Sequence, residues 1–210
     1  GTTLLSAVEV IGRIPDAYFQ AIGSGTGAIA VWENNLRLIE DGRWGSHKMR
    51  LYPSQNEPFT IMYDSWKLHS RQLVGMSPED ARKAAAEIDA KVLSNRKPPY
   101  SLAGGLFDAM EDAGGDMFKA DNEELRYWKK RFAELEGIDI HDAPAVAVAS
   151  LAQAVNEGVV KKDETIMLNI TGGGEELAKS EHEVFYAKPH LVLDPALPPE
   201  DIISAVKDLF

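Results

Sequence analysis

The feature that most constrains this chain is the run Gly23-Ser24-Gly25-Thr26-Gly27. It stands between a stretch that favours a strand and one that favours a helix. Before it, residues 17–22 carry Tyr18 and Phe19, aromatics that suit a pleated surface. Beyond it, Ile29, Trp32, Leu36 and Ile39 recur at helical spacing. Alternate glycines let the backbone turn tightly and expose successive N–H groups, and the following helix adds its positive end. Ser24 and Thr26 supply hydroxyl donors. The segment reads as a phosphate cradle or as a plain tight turn between strand and helix.

The loop also narrows the kind of phosphate it could hold. Gly23, Gly25 and Ala28 fit the spacing of a dinucleotide fingerprint, which wants an acidic residue roughly 20 positions on. Residues 48–55 occupy that place and contain no acid; Arg50, Pro53 and Ser54 stand there. A nucleoside triphosphate loop would end Gly-Lys-Ser/Thr, whereas Ala28 follows Gly27. A single phosphate on a small molecule fits better than either.

The rest of the chain repeats the alternation. Helix is expected over 3–11, with Gly12 closing it, and a strand over 48–52 stopped by Pro53. Residues 54–76 read as irregular. Ser77-Pro78-Glu79-Asp80 is a helix start, with the helix running to about Leu93. A break at 97–100 precedes helix over 102–112, then a strand over 117–120. Asp121 caps a helix over 122–136 with Glu124 at the capping-box position. A short strand over 138–140 and a helix opened by Pro144 over 145–157 follow. Residues 165–170 (TIMLNI) read as a strand covered on both faces. This pattern predicts an α/β fold, three layers (αβα) around a largely parallel sheet. The division expected is 1–174 as the sheet-bearing part and 175–210 as a tail ending in a helix from about Pro199.

Thr171-Gly172-Gly173-Gly174 follows the strand at 165–170, at its carboxyl end, where open α/β sheets place ligands. It reads either as a flexible strand exit or as a turn that lets a planar ligand approach the Thr171 hydroxyl. Charge excludes other classes. With 22 basic and 33 acidic residues the net charge is −11, which opposes a nucleic-acid partner. The absence of cysteine removes thiolate metal sites and cysteine nucleophiles and suits a reducing cytoplasm. The five histidines lack metal-ligand spacing, so no metal is expected. No apolar run nears the roughly 20 residues needed to span a bilayer. Arg126, Lys129, Lys130 and Arg131 read as a solvated face, and Asn169-Ile170-Thr171 as a chance glycosylation match.

Three segments, IPDAYFQAIGSGTGAIAVWE, EGIDIHDAPAVAVASLAQA and TIMLNITGGG, occur in the order found in the carboxyl-terminal half of threonine-synthase-like, fold-type II pyridoxal-phosphate enzymes. The first most closely resembles the cysteate synthases of methanogenic archaea. The resemblance covers Gly1 to about Gly174 and implies the large domain of tryptophan-synthase-β-like enzymes. It also implies pyridoxal 5'-phosphate as cofactor. Carried over by position, Gly23, Ser24, Gly25, Thr26 and Gly27 would hold the phosphate, and Thr171 would meet the pyridine nitrogen. The implied reaction is β-replacement: O-phospho-L-serine loses phosphate and sulfite adds, giving L-cysteate, a coenzyme M precursor. Threonine synthase, acting on O-phosphohomoserine, is the alternative within the family, and a non-catalytic phosphate-ligand module the alternative outside it. A homo-oligomer is expected.

Two departures from the family pattern stand out. Where relatives often carry Glu-Pro-Ala/Ser-Ala, this chain has His141-Asp142-Ala143-Pro144, which makes His141 a candidate to line the site. The family's Schiff-base lysine lies in the amino-terminal half, and none of Lys48, Lys67, Lys83, Lys91, Lys97 or Lys119 has a matching context. The expectation is therefore a part of an enzyme whose covalent catalysis needs a lysine outside this chain.

Overall fold

Four strands, β1 (Ala17–Ala21), β2 (Arg50–Asn56), β3 (Phe118–Ala120) and β4 (Ile166–Leu168), form a parallel sheet in the order β3-β2-β1-β4. The computed structural model describes every residue except Pro195, Asp208 and Phe210. The helices are α1 (Thr2–Ile11), α2 (Thr26–Asp41), α3 (Ile61–Lys67), α4 (Pro78–Glu87), α5 (Leu106–Ala113), α6 (Asn122–Glu136), α7 (Asp142–Asn156), α8 (Glu175–Glu181) and α9 (Pro199–Lys207), with a 3-10 turn at Lys91–Leu93. The chain divides into two compact units, Gly1–Leu177 and Ala178–Phe210. The second contains α9. Among the described residues no helix is long and apolar enough to cross a membrane.

In the first unit α7 lies across all four strands with α6 outside it, while α2, α3 and α5 pack against β2 on the other face. The three-layer α/β architecture is the one its alternating sequence dictates. Side chains of β1 alternate: Tyr18 joins the core under α2, whereas Phe19 stacks on Tyr52 at 4.7 Å in the α7-side core. The small residues of α7, Ala143, Ala145, Ala147 and Ala149, are buried and allow that helix to approach the sheet closely. The basic cluster on α6 is neutralised locally: Arg126 pairs with Asp89, Lys129 with Asp142, and Lys130 and Arg131 with Glu134.

Several expectations are corrected, each for a physical reason. The second strand is not stopped by Pro53; it runs on to Asn56. Arg50 N donates towards β1 and Leu51 N towards the opposite side, so Pro53 has its missing donor on the β3 side, before that strand's pairing starts at Ser54. Residues 54–76 are not irregular throughout: Gln55 Oε1 accepts from the N–H groups of Met62 and Tyr63, each at 2.9 Å, and opens α3. The helix from Ser77 ends at Glu87 rather than near Leu93. Asn122 Oδ1 takes the N–H of Asp89 and Asn56 Oδ1 that of Ala90, diverting both from helical bonding. Helix α5 starts at Leu106 rather than 102 because 99–105 form turns bonded to the Pro99 and Tyr100 carbonyls. Residues 138–140 reduce to one bridge, Ile140 to Gly173. Helix α7 begins at Asp142, so Pro144 lies inside its first turn. Strand β4 is half-buried at the sheet edge rather than covered on both faces. On α2 the buried line is Ala28, Val31, Asn35 and Leu38, with Ile29, Trp32 and Ile39 flanking it.

Candidate functional site

Because β1 and β4 are adjacent and parallel, with Phe19 opposite Leu168, both glycine turns leave the sheet at the same edge. Gly23, Ser24 and Gly25 follow β1 and lead into α2; Thr171 and its glycines follow β4. The topology thus brings together two segments far apart in the chain, at the carboxyl edge where ligands bind such sheets.

The first turn is shaped by close approach. Gly25 adopts φ +79°, ψ −3° as the N-cap of α2, a conformation that disfavours other residues. A Cβ on Gly23 would lie 2.7 Å from the Val92 carbonyl oxygen, and one on Gly27 would lie 2.6 Å from the Gln20 carboxamide. Ser24 Oγ and Thr26 Oγ1 bond each other at 2.9 Å, and Ser24 Oγ also accepts weakly from Thr26 N at 3.4 Å. Ile29 N is the first amide of α2 bonded back along the backbone, to Gly25 O. The N–H groups of Gly27 and Ala28 find no acceptor among the described residues. Two open amides, two hydroxyls and the positive end of a 16-residue helix therefore converge, a donor set suited to a phosphate monoester.

The second turn is clamped from below. His141 N donates to Gly172 O at 3.0 Å, and Gly174 N to Asp139 O at 2.8 Å. The Asp139 carboxylate caps the start of α8 through Glu175 N and Glu176 N. The His141 ring lies so close to Gly172 that a Cβ there would be 2.6 Å from Nδ1, and its Nε2 is 2.9 Å from Glu175 Oε1. Thr171 is exposed, three residues past the end of β4. A cavity of about 640 Å³ is lined by Thr171, His141, Ala21, Lys129, Val92 and Leu93. Residues 23–27 are not in its wall; Val92 and Leu93 stand between, contacting the cavity on one side and Gly23 on the other. A second cavity, about 750 Å³, lies between Phe59, Leu73, Met76 and Arg96 and contains neither glycine turn.

Sequence reasoning missed the side chains that join the two turns. Tyr18 donates to Gln20 Oε1 at 2.9 Å and accepts from Asn169 Nδ2 at 2.8 Å. Burial pushes the Tyr18 phenol up to about 12, offset in part by the Asn169 bond. The available signal was Gln20 itself, a carboxamide inside the otherwise apolar run of β1. Also missed was Asn56, fully buried, which ties β2 to β3, to Ala90 and to Asn122.

Known proteins bear on this arrangement. The cysteate synthase of Methanosarcina acetivorans is 47% identical over 96% of this chain and 49% of its own length. That of Methanocella paludicola is 44% identical over 99% and 49%. The chain thus spans about half the length of these curated relatives. Among solved structures, a pyridoxal 5'-phosphate-dependent aspartate racemase superposes with TM-score 0.61 at 10% identity, covering 83% of this chain and 48% of the racemase. The serine racemase of Dictyostelium discoideum gives 0.57 at 15%, covering 83% and 48%. These two share the fold. The family profile described as pyridoxal-phosphate dependent enzyme matches residues 1–172, and with that match over most of its length the chain belongs to this family.

Proposed function

We propose that this chain is the carboxyl-terminal part of a pyridoxal-phosphate-dependent β-replacement enzyme. Its reaction converts O-phospho-L-serine and sulfite to L-cysteate and phosphate. The observation that carries this reading is the likeness to cysteate synthases along nearly the whole chain, at 44–47% identity. The exit of both glycine turns from one sheet edge supports it.

In this reading the open amides of Gly27 and Ala28, at the positive end of α2, hold the cofactor phosphate, with Gly23, Ser24, Gly25 and Thr26 shaping the cradle. The Thr171 hydroxyl meets the pyridine nitrogen. A neutral hydroxyl does not hold that nitrogen protonated as a carboxylate would, which tempers electron withdrawal and favours departure of a β-leaving group. When bound, the cofactor supplies the electron sink that labilises bonds at the amino-acid carbon skeleton. His141, on the wall beside Thr171, keeps the second turn in place. The lysine that attaches the cofactor belongs to the remainder of the polypeptide, and the whole enzyme is a cytoplasmic homo-oligomer.

The test uses the full-length polypeptide that contains this chain. Uptake of pyridoxal phosphate is read from a visible absorption band, and products are identified after mixing with O-phosphoserine and sulfite. L-cysteate and phosphate in equal amounts are expected. Threonine from O-phosphohomoserine, with no cysteate, would replace the proposal by threonine synthase; no cofactor uptake would overturn it altogether.

A further inference from the structure

Gln20 is half-buried at the end of β1, on the same face as Tyr18 and beside the first turn of α2. Its orientation is fixed from behind. The Tyr18 hydroxyl, from a residue 1% exposed, donates to Oε1. That hydroxyl is in turn held by Asn169 Nδ2, and Asn169 N donates to Phe19 O at 2.9 Å. With Oε1 occupied by a donor, both protons of Nε2 remain, and they find no acceptor among the described residues. The carboxamide lies flat against Gly27, whose Cβ would stand 2.6 Å from both Nε2 and Oε1. It thus packs on the first turn of α2, the turn that carries the open amides of Gly27 and Ala28. Nε2 is not among the buried unsatisfied atoms and stays open to solvent, so an anion seated at the turn can take the place of water as its acceptor.

We propose that the Gln20 carboxamide is a side-chain ligand of the phosphate group, donating from Nε2, and that Tyr18 and Asn169 are positioning residues that hold it in that orientation. The inference rests on the cofactor reading given above and adds a binding residue to it. It also gives the two turns a physical link, because Asn169 lies two residues before Thr171. Burial pushes the Tyr18 phenol up to about 12, so it stays a donor throughout the neutral range. A glutamate at position 20 would turn an anion towards the phosphate, whereas methionine would keep the packing and remove the donor.

The experiment begins with the unmodified full-length polypeptide that contains this chain. In a 1H–15N spectrum titrated with inorganic phosphate, the side-chain NH2 pair of Gln20 is expected to shift together with the backbone amides of Gly27 and Ala28. Variants follow, with near-UV circular dichroism as the folding control. Gln20→Met is expected to weaken pyridoxal phosphate roughly tenfold or more, as for loss of one bond to a charged group. Gln20→Glu loses more. Both leave the affinity for pyridoxal, which lacks the phosphate, unchanged. Tyr18→Phe gives a smaller loss and moves the 31P resonance of bound pyridoxal phosphate. If the Gly27 and Ala28 amides respond while the Gln20 NH2 pair does not, or if Gln20→Met binds as tightly as the parent, this inference fails and the cofactor reading stands. If neither phosphate nor pyridoxal phosphate perturbs any of the three, the cofactor reading fails and this inference with it.

Discussion

Replacing Asn56 by alanine tests how the wall of the cavity is held. Asn56 is fully buried, and its carboxamide makes four bonds. Nδ2 donates to Ala120 O at 3.0 Å, to Asn122 Oδ1 at 3.2 Å and to Glu57 O at 3.3 Å, and Oδ1 accepts from Ala90 N at 3.0 Å. These partners do not suffer equally. Ala120 O still accepts from Glu57 N, and Asn122 Oδ1 still accepts from Asp89 N. Ala90 N, on a residue only 2% exposed, loses its acceptor. An orphaned buried donor costs about 1–3 kcal/mol. With the small void added, the expected loss is about 2 kcal/mol, or about 4–8 °C in Tm for a chain of this size. Hydrogen exchange should localise the effect to residues 88–93, the segment that separates the cavity from Gly23. Because Asn56 and Asn122 bond each other, the double alanine variant should lose less than the sum of the single losses. An unchanged Tm together with an Ala90 amide as protected as in the parent would refute the reasoning.

Gly23→Ala should destabilise by about 1–3 kcal/mol, since its Cβ would press on the Val92 carbonyl at 2.7 Å, a backbone atom that cannot rotate away; urea unfolding measures it. The Asp112 carboxyl is held below its ordinary value of 3.8, first by the Lys48 bond and then by the Trp32 indole N–H at 2.7 Å. A depressed native value means that this contribution is present above the ordinary value and is lost as pH falls through the native one, so Asp112→Asn should flatten the acid limb of a stability–pH profile below about 4. An acid limb as steep in the variant as in the parent would contradict it. His141→Ala removes the ring from beneath Gly172 and its bond to Glu175, and should raise amide exchange at 172–174 while changing global stability by less than about 1 kcal/mol. Unchanged exchange there would show that the backbone clamp alone holds the turn.

The elements read correctly from sequence have their signals close together in the chain. Ser77 and Asp121 cap α4 and α6 within three residues of themselves, and Gly12 and Gly137 close their helices in the left-handed conformation. The strand, glycine loop and helix around Gly23, Gly25 and Gly27 belong to the same class. The missed features depend on distant partners. Helix α3 starts where Gln55 reaches it, α4 stops where Asn56 and Asn122 intercept its next amides, and Pro53 is tolerated because its neighbour strand is short. The polar link through Tyr18 was hidden for the same reason, its Asn169 partner being 151 residues away.

Alone, then, the order of residues determined the alternation of strands and helices and the presence of two glycine-rich exits, since turn geometry, capping and hydrophobic period act over a few neighbours. Only the folded molecule decided that β4 lies beside β1, so that Thr171 and the start of α2 share one edge, and that Val92 and Leu93 stand between them. Strand adjacency is set by burial across the whole sheet and by hydrogen bonds between segments remote in the chain, which no local stretch encodes by itself.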